Sequence, residues 1–114
     1  MTSLDQNAVR KGLLDLLELL GHSDAQARYE HEVPTANVPA ELICIWFEDR
    51  YSPEAPEFRA AVTAGELQLL AEFDHYFASR LSLPPVSDGV RSLQSSASWR
   101  EVMTAAADAR ARIG

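Results

Sequence analysis

The sequence predicts an all-α fold: an irregular bundle of four to six helices that forms a single domain over residues 1–114. Three observations lead to this prediction. Apolar residues recur in several segments at the i, i+3, i+4 spacing of one helix face. At four places a Ser or Thr stands three residues before a Glu or Gln, which is the pattern of a helix-capping box. Stretches rich in Pro, Ser and Gly separate these segments.

The first two predicted helices form a tight pair at the start of the chain. The first covers about residues 4–20 and ends at Gly21, and the second covers about residues 24–32 and ends before Pro34. Capping patterns open both helices, at Ser3 with Gln6 and at Ser23 with Gln26. The apolar face of the first helix consists of Val9, Leu13, Leu16, Leu17 and Leu20. These apolar residues should pack against the rest of the bundle.

Residues 40–51 are compatible with either a strand or a helix. Their apolar stretch, Leu-Ile-Cys-Ile-Trp-Phe, is short and rich in residues that favour a buried strand. The helix is favoured because Pro39 suits a first helical turn and Glu41 places negative charge in that turn. The spacing of Leu42, Ile43, Trp46, Phe47 and Arg50 also fits one helix face. We therefore predict a helix.

The second half of the chain predicts two further amphipathic helices, at about residues 64–81 and 98–112. Capping patterns open them, at Thr63 with Glu66 and at Ser98 with Glu101. Single helical turns are expected at residues 57–62 and near Val90 and Leu93, while Pro84-Pro85 ends the longer helix. The core is expected to consist mainly of Trp46, Phe47, Phe73, Phe77 and Trp99.

The charge balance argues against nucleic acid and anionic membranes as partners. The chain carries 17 acidic and 10 basic residues, a net charge of −7, and its bases are scattered. Residues 1–88 hold 15 acids and six bases, so a basic protein surface would meet this part of the chain. The alternative is that the charge only keeps the protein soluble.

Composition also predicts a cytoplasmic, bacterial protein. The single cysteine, Cys44, allows no intramolecular disulfide and suits a reducing compartment. The start of the chain has no secretory pattern, and the longest apolar run, Leu42 to Phe47, is far shorter than a membrane span. Arginine supplies nine of the ten bases and alanine is abundant, which is typical of a GC-rich bacterial genome.

Two charged residues interrupt the predicted apolar faces, Arg50 and Asp74. A charge in such a place needs a partner or a path to water. One hypothesis is that Arg50 pairs with Asp74 or Asp49 and orients the two aromatic helices. The other is that Arg50 and Trp46 anchor a protein partner, since Arg and Trp are common in binding hot spots. The candidate binding residues are therefore Arg50, Trp46, Asp49 and Asp74.

Metal and thiol chemistry have weaker support. Glu72 and His75 form one Glu-x-x-His pattern, but di-iron bundles use two and these residues fall on the polar side of their helix. The neighbours in Glu30-His31-Glu32 point in different directions, so we interpret them as a solvated face. Cys44 lies in an apolar run beside acidic residues, so we expect a buried or flanking apolar residue rather than a reactive thiol.

These features predict a non-catalytic bacterial protein–protein interaction domain without a cofactor. The chain has no Gly-x-Ser-x-Gly, Gly-x-Gly-x-x-Gly or Gly-Lys-Ser/Thr sequence, the patterns of nucleophile elbows and phosphate loops. The side chains of Trp46, Phe47 and Tyr51 together cover more than half of the circumference of their helix. Either the rest of the bundle wraps this segment, or part of it forms a homodimer interface. The alternatives are a small metal- or ligand-binding protein using Glu72 and His75, and a subunit of a larger enzyme whose catalytic residues lie on another chain.

Overall fold

Seven helices form in the part of the chain that the computed structural model describes, residues 3–33, 37–80 and 89–113. They are α1 (Ser3–Gly21), α2 (Ser23–Glu32), α3 (Val38–Cys44, continued by a π-helical segment Ile45–Arg50), α4 (Pro56–Ala61), α5 (Ala64–Ala78), α6 (Gly89–Gln94) and α7 (Ala97–Ile113). The all-α bundle is confirmed. There are seven helices because both expected single turns form, as α4 and α6. Helix α2 ends at Glu32, as predicted. The predicted end of α5 at residue 81 is wrong, because α5 ends at Ala78 and the Arg80 N–H turns back to the Phe77 carbonyl, three residues before it. Pro34, Pro84-Pro85 and the side chains of the Ser3–Gln6 cap lie outside what the structure describes.

The ambiguous segment is a helix, as predicted, but it changes type halfway. Asn37 caps α3 by accepting a hydrogen bond from the Ala40 backbone N–H at 3.3 Å, and Pro39 lies in the first turn. From Ile45 onward the turns widen, and the Tyr51 N–H donates to the carbonyl of Trp46, five residues back, at 3.1 Å. Such π-helical turns are rare and occur often at functional sites. The apolar spacing predicted the helix but not this widening.

Only one of the three capping boxes whose side chains are described forms as predicted. The Thr63 hydroxyl accepts from the Glu66 N–H, and the Glu66 carboxylate accepts from the Thr63 N–H. The prediction at Ser98 is wrong, because α7 begins earlier, at Ala97, and Glu101 lies 3.6 Å from Arg80 instead. The prediction at Ser23 is also wrong, because Ser23 lies inside α2 and its intended partner, Gln26, turns into the core.

Gln26 donates hydrogen bonds to the carbonyls at the end of α1 instead of capping the start of α2. Its side chain is fully buried, and its amide nitrogen donates to the carbonyls of Leu19 and Leu20 at 3.1 and 3.0 Å. Its amide oxygen accepts from the indole N–H of Trp99 at 3.2 Å and from the Gln94 side chain at 3.1 Å. The last carbonyls of a helix need donors from outside it, and Gln26 supplies them.

A row of aromatic side chains runs through the core. The ring of Trp46 stacks on Tyr51, with centroids 4.9 Å apart, and meets the edge of Phe73 at 4.8 Å. Phe77 continues the row, with Trp99 at 5.8 Å and Phe47 at 4.8 Å. Four of the five predicted core aromatics are buried, and Phe47 is partly exposed. The bundle therefore wraps Trp46, which was the first of the two alternatives for this segment.

Helices α1 and α7 pack closest at Gly21. A Cβ built at Gly21 would lie 3.0 Å from the Ala107 backbone nitrogen and 3.1 Å from its Cα, closer than almost any real Cβ contact. The φ angle of Gly21 is not positive, so its absent side chain, rather than a left-handed backbone, explains this glycine. Gly21 ends α1 as predicted, and it also allows the two longest helices to touch.

Arg10 connects α1 to three other helices. Its guanidinium forms two hydrogen bonds with the Glu66 carboxylate, at 2.8 and 2.9 Å, and donates to the carbonyls of Ala61 and Ile113 at 3.0 and 3.3 Å. The hydrogen bond from Arg10 is the main cause that lowers the pKa of Glu66 to about 2, and the bonds within Thr63's cap add to it. One side chain thereby joins α1 to α4, α5 and α7.

Among the described helices, none is both long enough and apolar enough to cross a membrane.

Candidate functional site

The four candidate binding residues divide into a Trp46–Asp74 pair, in which Asp74 is partly exposed, and an exposed Arg50–Asp49 pair. Trp46 is fully buried, and its indole N–H donates to the Asp74 carboxylate at 3.0 Å. Asp74 therefore has Trp46 as its partner, and the Arg50–Asp74 pair does not form among the described contacts. The other expected pair does form, although loosely, with 4.0 Å between Arg50 Nε and an Asp49 oxygen. The Trp46–Asp74 pair orients the aromatic row, and the Arg50–Asp49 pair faces solvent.

Arg50, the last residue of the π-helical segment, lies against α1. A Cβ at Gly12 would lie 3.7 Å from Arg50 Nη1, an ordinary contact distance, so the guanidinium rests over this glycine. Half of the Arg50 side chain is exposed. A cavity of about 190 Å³ opens beside it, lined by Val9, Asp49, Ser52, Glu57 and Phe58 among others. Two carboxylates and one guanidinium border this cavity, which is smaller than the usual ligand pocket.

The possible metal ligands do not form a cluster in the described residues. No group of three His, Cys, Asp or Glu side chains there could hold an ion. Glu72 and His75 are both exposed on α5, as predicted. Glu30 has a structural role, because its carboxylate accepts from the Val90 N–H at 2.9 Å at the start of α6. Gly89 adopts a φ of 85° there, and a Cβ would lie 3.2 Å from the same carboxylate.

The sequence predicted that Cys44 is either a buried or a flanking apolar residue, and in the structure it is exposed. The pKa of its thiol is nevertheless raised, first by desolvation and then by the charge of Glu48, which also hydrogen-bonds it. Nucleophilic cysteines need the opposite shift, because the thiolate is the reactive form. The thiol is thus accessible but is not activated by its neighbours.

A second region, which the sequence did not indicate, surrounds Tyr76 on α5. The Arg80 guanidinium carbon lies 3.5 Å from the centre of the Tyr76 ring, a cation–π contact, and both side chains are partly exposed. A hollow of about 600 Å³ lies on the α7 side of Tyr76, and one of about 500 Å³ lies on its α5 side. A smaller one, about 180 Å³, continues past Leu69 towards Arg112. We call this region, with Tyr76 and Arg80 as its ridge, the Tyr76 face.

Small side chains on α7 produce these hollows. Ala97 and Ala105 line the larger hollow, and Ala105 and Ala109 line the smallest, so α7 leaves the space beside Tyr76 unfilled. On the other side of the ridge, Ala71 does the same on α5. The sequence signal was weak, because Tyr76 lies beside the stripe of Leu70, Phe73 and Phe77 and could have been another core residue.

Charged residues of both signs border the Tyr76 face. They are the acids Glu72, Glu101 and Asp108 and the bases Arg80, Arg100 and Arg112. Arg112 pairs with Asp108 at 3.1 Å, and Arg80 lies 3.6 Å from Glu101. Within the described part of the chain, Glu72 has no ion pair, and Arg100 donates only to the carbonyls of Gln94 and Ser95. The face is therefore balanced in charge, although the whole chain is acidic.

Comparison with other proteins adds no assignment. No protein-family model matches the chain, and no curated protein or solved structure is similar to it.

Proposed function

We propose that this protein is a non-catalytic protein–protein interaction domain and that the Tyr76 face is its binding surface. The observation that carries the proposal is the ridge of Tyr76 and Arg80 between two large hollows. Tyr and Arg are among the residue types that contribute most to binding at protein interfaces. A partner side chain that enters either hollow would contact the aromatic ring directly.

The composition of the face supports the same function. Alanines and the Tyr76 ring line its hollows together with uncharged polar side chains such as Gln68, Ser79 and Thr104, and charged side chains surround them. Protein interfaces have this arrangement, with an apolar centre and a polar rim. The hollows are open and shallow, a shape that suits the side chains of another protein better than an enclosed small molecule.

Two of the candidate residues from the sequence, Arg50 and Asp49, remain a proposed second contact on a different part of the surface. They are exposed beside the small cavity between α1 and α4. Trp46 and Asp74 support binding only indirectly, by holding α3 against α5 through the indole hydrogen bond.

The proposal can be tested by photo-crosslinking from defined positions. A photoreactive amino acid replaces Gln68 or Ala97, which border the hollows, or Ala27, an exposed control position on α2. In cells that express the protein, we expect crosslinked protein from Gln68 and Ala97 but not from Ala27. Thermal melting of each variant confirms that it is folded. Equal crosslinking from all three positions, or none from the Tyr76 face, would contradict the proposal.

A second candidate function is metal or ligand binding by Glu72 and His75. It is favoured by one observation: both residues line the hollow on the α5 side of Tyr76. Calorimetric titration with Zn²⁺ tests it, with His75→Ala as the comparison. Heat of binding that disappears in the variant would support this function, and no heat in either protein would end it.

A further inference from the structure

We propose that the partner at the Tyr76 face is a second copy of this chain, related to the first by a two-fold axis that passes near Tyr76. This inference rests on the proposed function, because it names the occupant of the same surface. Two-fold homodimers are the commonest protein oligomers, and their interface brings the same patch of both chains together. Such a patch must be complementary to itself in shape and in charge.

The shape of the Tyr76 face meets this requirement. Tyr76 borders the hollows on both sides, so the ridge that it forms with Arg80 is flanked by empty space. If two copies face each other with a small offset, the ridge of each copy enters a hollow of the other. The alanines that line the hollows allow this close approach.

The net charge of the chain favours this face over the rest of the surface. Each copy carries a charge of −7, so two copies repel each other on average. The Tyr76 face has three acidic and three basic residues on its border, and it can therefore approach its own copy without net repulsion. The cavity beside Arg50, by contrast, is bordered by two acids and one base.

The positions of Glu72 and Arg100 provide specific complementarity. Helices α5 and α7 run antiparallel, since Arg80 meets Glu101 at one end and Glu72 shares a hollow with Asp108 towards the other. Glu72 lies four residues before Tyr76, about 6 Å along α5. Arg100 lies five residues before Ala105, which lines two of the hollows beside Tyr76, so it is about 7 Å away in the opposite direction.

A two-fold axis that lies in the interface plane and crosses α5 and α7 at the level of Tyr76, rather than running parallel to them, exchanges these two ends of the face. It therefore brings Glu72 of one protomer towards Arg100 of the other, twice per dimer. These are the two border charges that have no ion-pair partner within the described part of the chain. The dimer would pair them and leave the existing pairs, Arg80–Glu101 and Asp108–Arg112, intact.

The experiment measures molar mass in solution by size-exclusion chromatography with light scattering, over a range of protein concentrations at low salt. We expect the wild-type chain to approach twice 12.6 kDa as concentration rises. Tyr76→Glu, which places a charge in the centre of the interface, should weaken dimerisation at least about tenfold. Ala27→Glu adds the same charge to an exposed position on α2 and should leave the dimer unchanged.

Exchanging the charges at positions 72 and 100 distinguishes this dimer geometry from any other. Glu72→Arg and Arg100→Glu should each weaken the dimer, because like charges then face each other across the axis. The double variant Glu72→Arg/Arg100→Glu should restore it. Because Arg100 also donates to two backbone carbonyls, thermal melting of the single variants shows whether they remain folded.

The possible results also separate this inference from the proposed function. A monomer at every concentration, or a dimer that Tyr76→Glu and the charge exchange leave unaffected, overturns the inference. If the chain is monomeric but positions Gln68 and Ala97 crosslink to a different protein, the proposed function is supported and only the identity of the partner is wrong. If the chain is monomeric and these positions crosslink to nothing, both fail.

Discussion

At the scale of single residues, two polar contacts to buried indole N–H groups organise the core. Gln26 binds two carbonyls of α1 and accepts from Trp99, and Asp74 accepts from Trp46. In both cases the donor is the N–H of an indole that is otherwise surrounded by apolar side chains. A buried donor without an acceptor is costly, so each contact fixes the orientation of a large ring.

Replacing Gln26 tests the first of these contacts. Gln26→Leu removes the donor for Leu19 and Leu20 and leaves the Trp99 N–H without its acceptor, and we expect a loss of about 2–4 kcal/mol in the free energy of unfolding. Arg28→Leu, which also places a leucine on α2 but at an exposed position, should alter it by less than about 0.5 kcal/mol. Urea denaturation at equal protein concentration measures both. Equal losses in the two variants would show that Gln26 has no special role.

Asp74 and Arg50 should differ sharply in their effects on stability. Asp74→Ala leaves the Trp46 N–H without its acceptor and should lower the free energy of unfolding by about 1–2 kcal/mol. Arg50→Ala should lower it by less than about 0.5 kcal/mol, because Arg50 is half exposed and its ion pair with Asp49 is long. Denaturation of both variants provides the comparison. A large effect of Arg50→Ala would mean that this side chain has a buried partner after all.

At the scale of the helices, local sequence patterns predicted the positions of the helices better than they predicted the contacts between helices. α1, α2 and α7 begin and end within one or two residues of the predicted limits. The apolar spacing of residues 40–51 did not distinguish an α-helix from the α-then-π helix that forms, since both place Leu42 and Trp46 inside. The capping box predicted at Ser23 was wrong because its second residue, Gln26, forms hydrogen bonds in the core instead.

Two of the helical glycines, Gly21 and Gly65, should respond oppositely to the same substitution. Gly21→Ala places a Cβ 3.0 Å from the Ala107 backbone, so α1 and α7 must separate, and we expect a loss of about 1–3 kcal/mol. At Gly65 no atom lies within 4 Å of a new Cβ, so Gly65→Ala should stabilise the protein by about 0.5–1 kcal/mol through helix propensity. Thermal denaturation distinguishes the two. Stabilisation by both substitutions would contradict the close packing at Gly21.

At the scale of the whole molecule, Arg10 and Glu66 connect helices that lie far apart in the chain. Four of the seven helices meet at this ion pair. The pKa of Glu66 is lowered from 4.5 to about 2 in the folded protein. The folded state therefore keeps this carboxylate charged at a pH where the unfolded chain binds a proton, and this difference links stability to pH.

The pH dependence of stability follows from the direction of that shift. The contribution of Glu66 is complete above its unfolded pKa of 4.5 and is lost as pH falls towards about 2. We expect Glu66→Gln to lower the free energy of unfolding by about 2 kcal/mol at pH 7, and by much less at pH 2. Urea denaturation across this pH range tests the prediction. A difference between the two proteins that stays constant with pH would exclude a titrating ion pair.

The sequence alone determined where most of the helices lie and that Trp46, Phe73, Phe77 and Trp99 enter the core, although Phe47 stays partly exposed and the buried Phe58 was not predicted. Apolar spacing and proline act over a few neighbouring positions, so a linear pattern is enough to detect them. Two of the three described capping boxes did not form, because Gln26 and Glu101 have partners in other parts of the fold.

Tertiary structure alone decided the partners of Gln26, Asp74 and Arg10, the close contact at Gly21 and the hollows beside Tyr76. Each of these depends on atoms brought together from distant parts of the chain. Tyr76 is the clearest case, because the alanines of α7 leave it a partly exposed ridge.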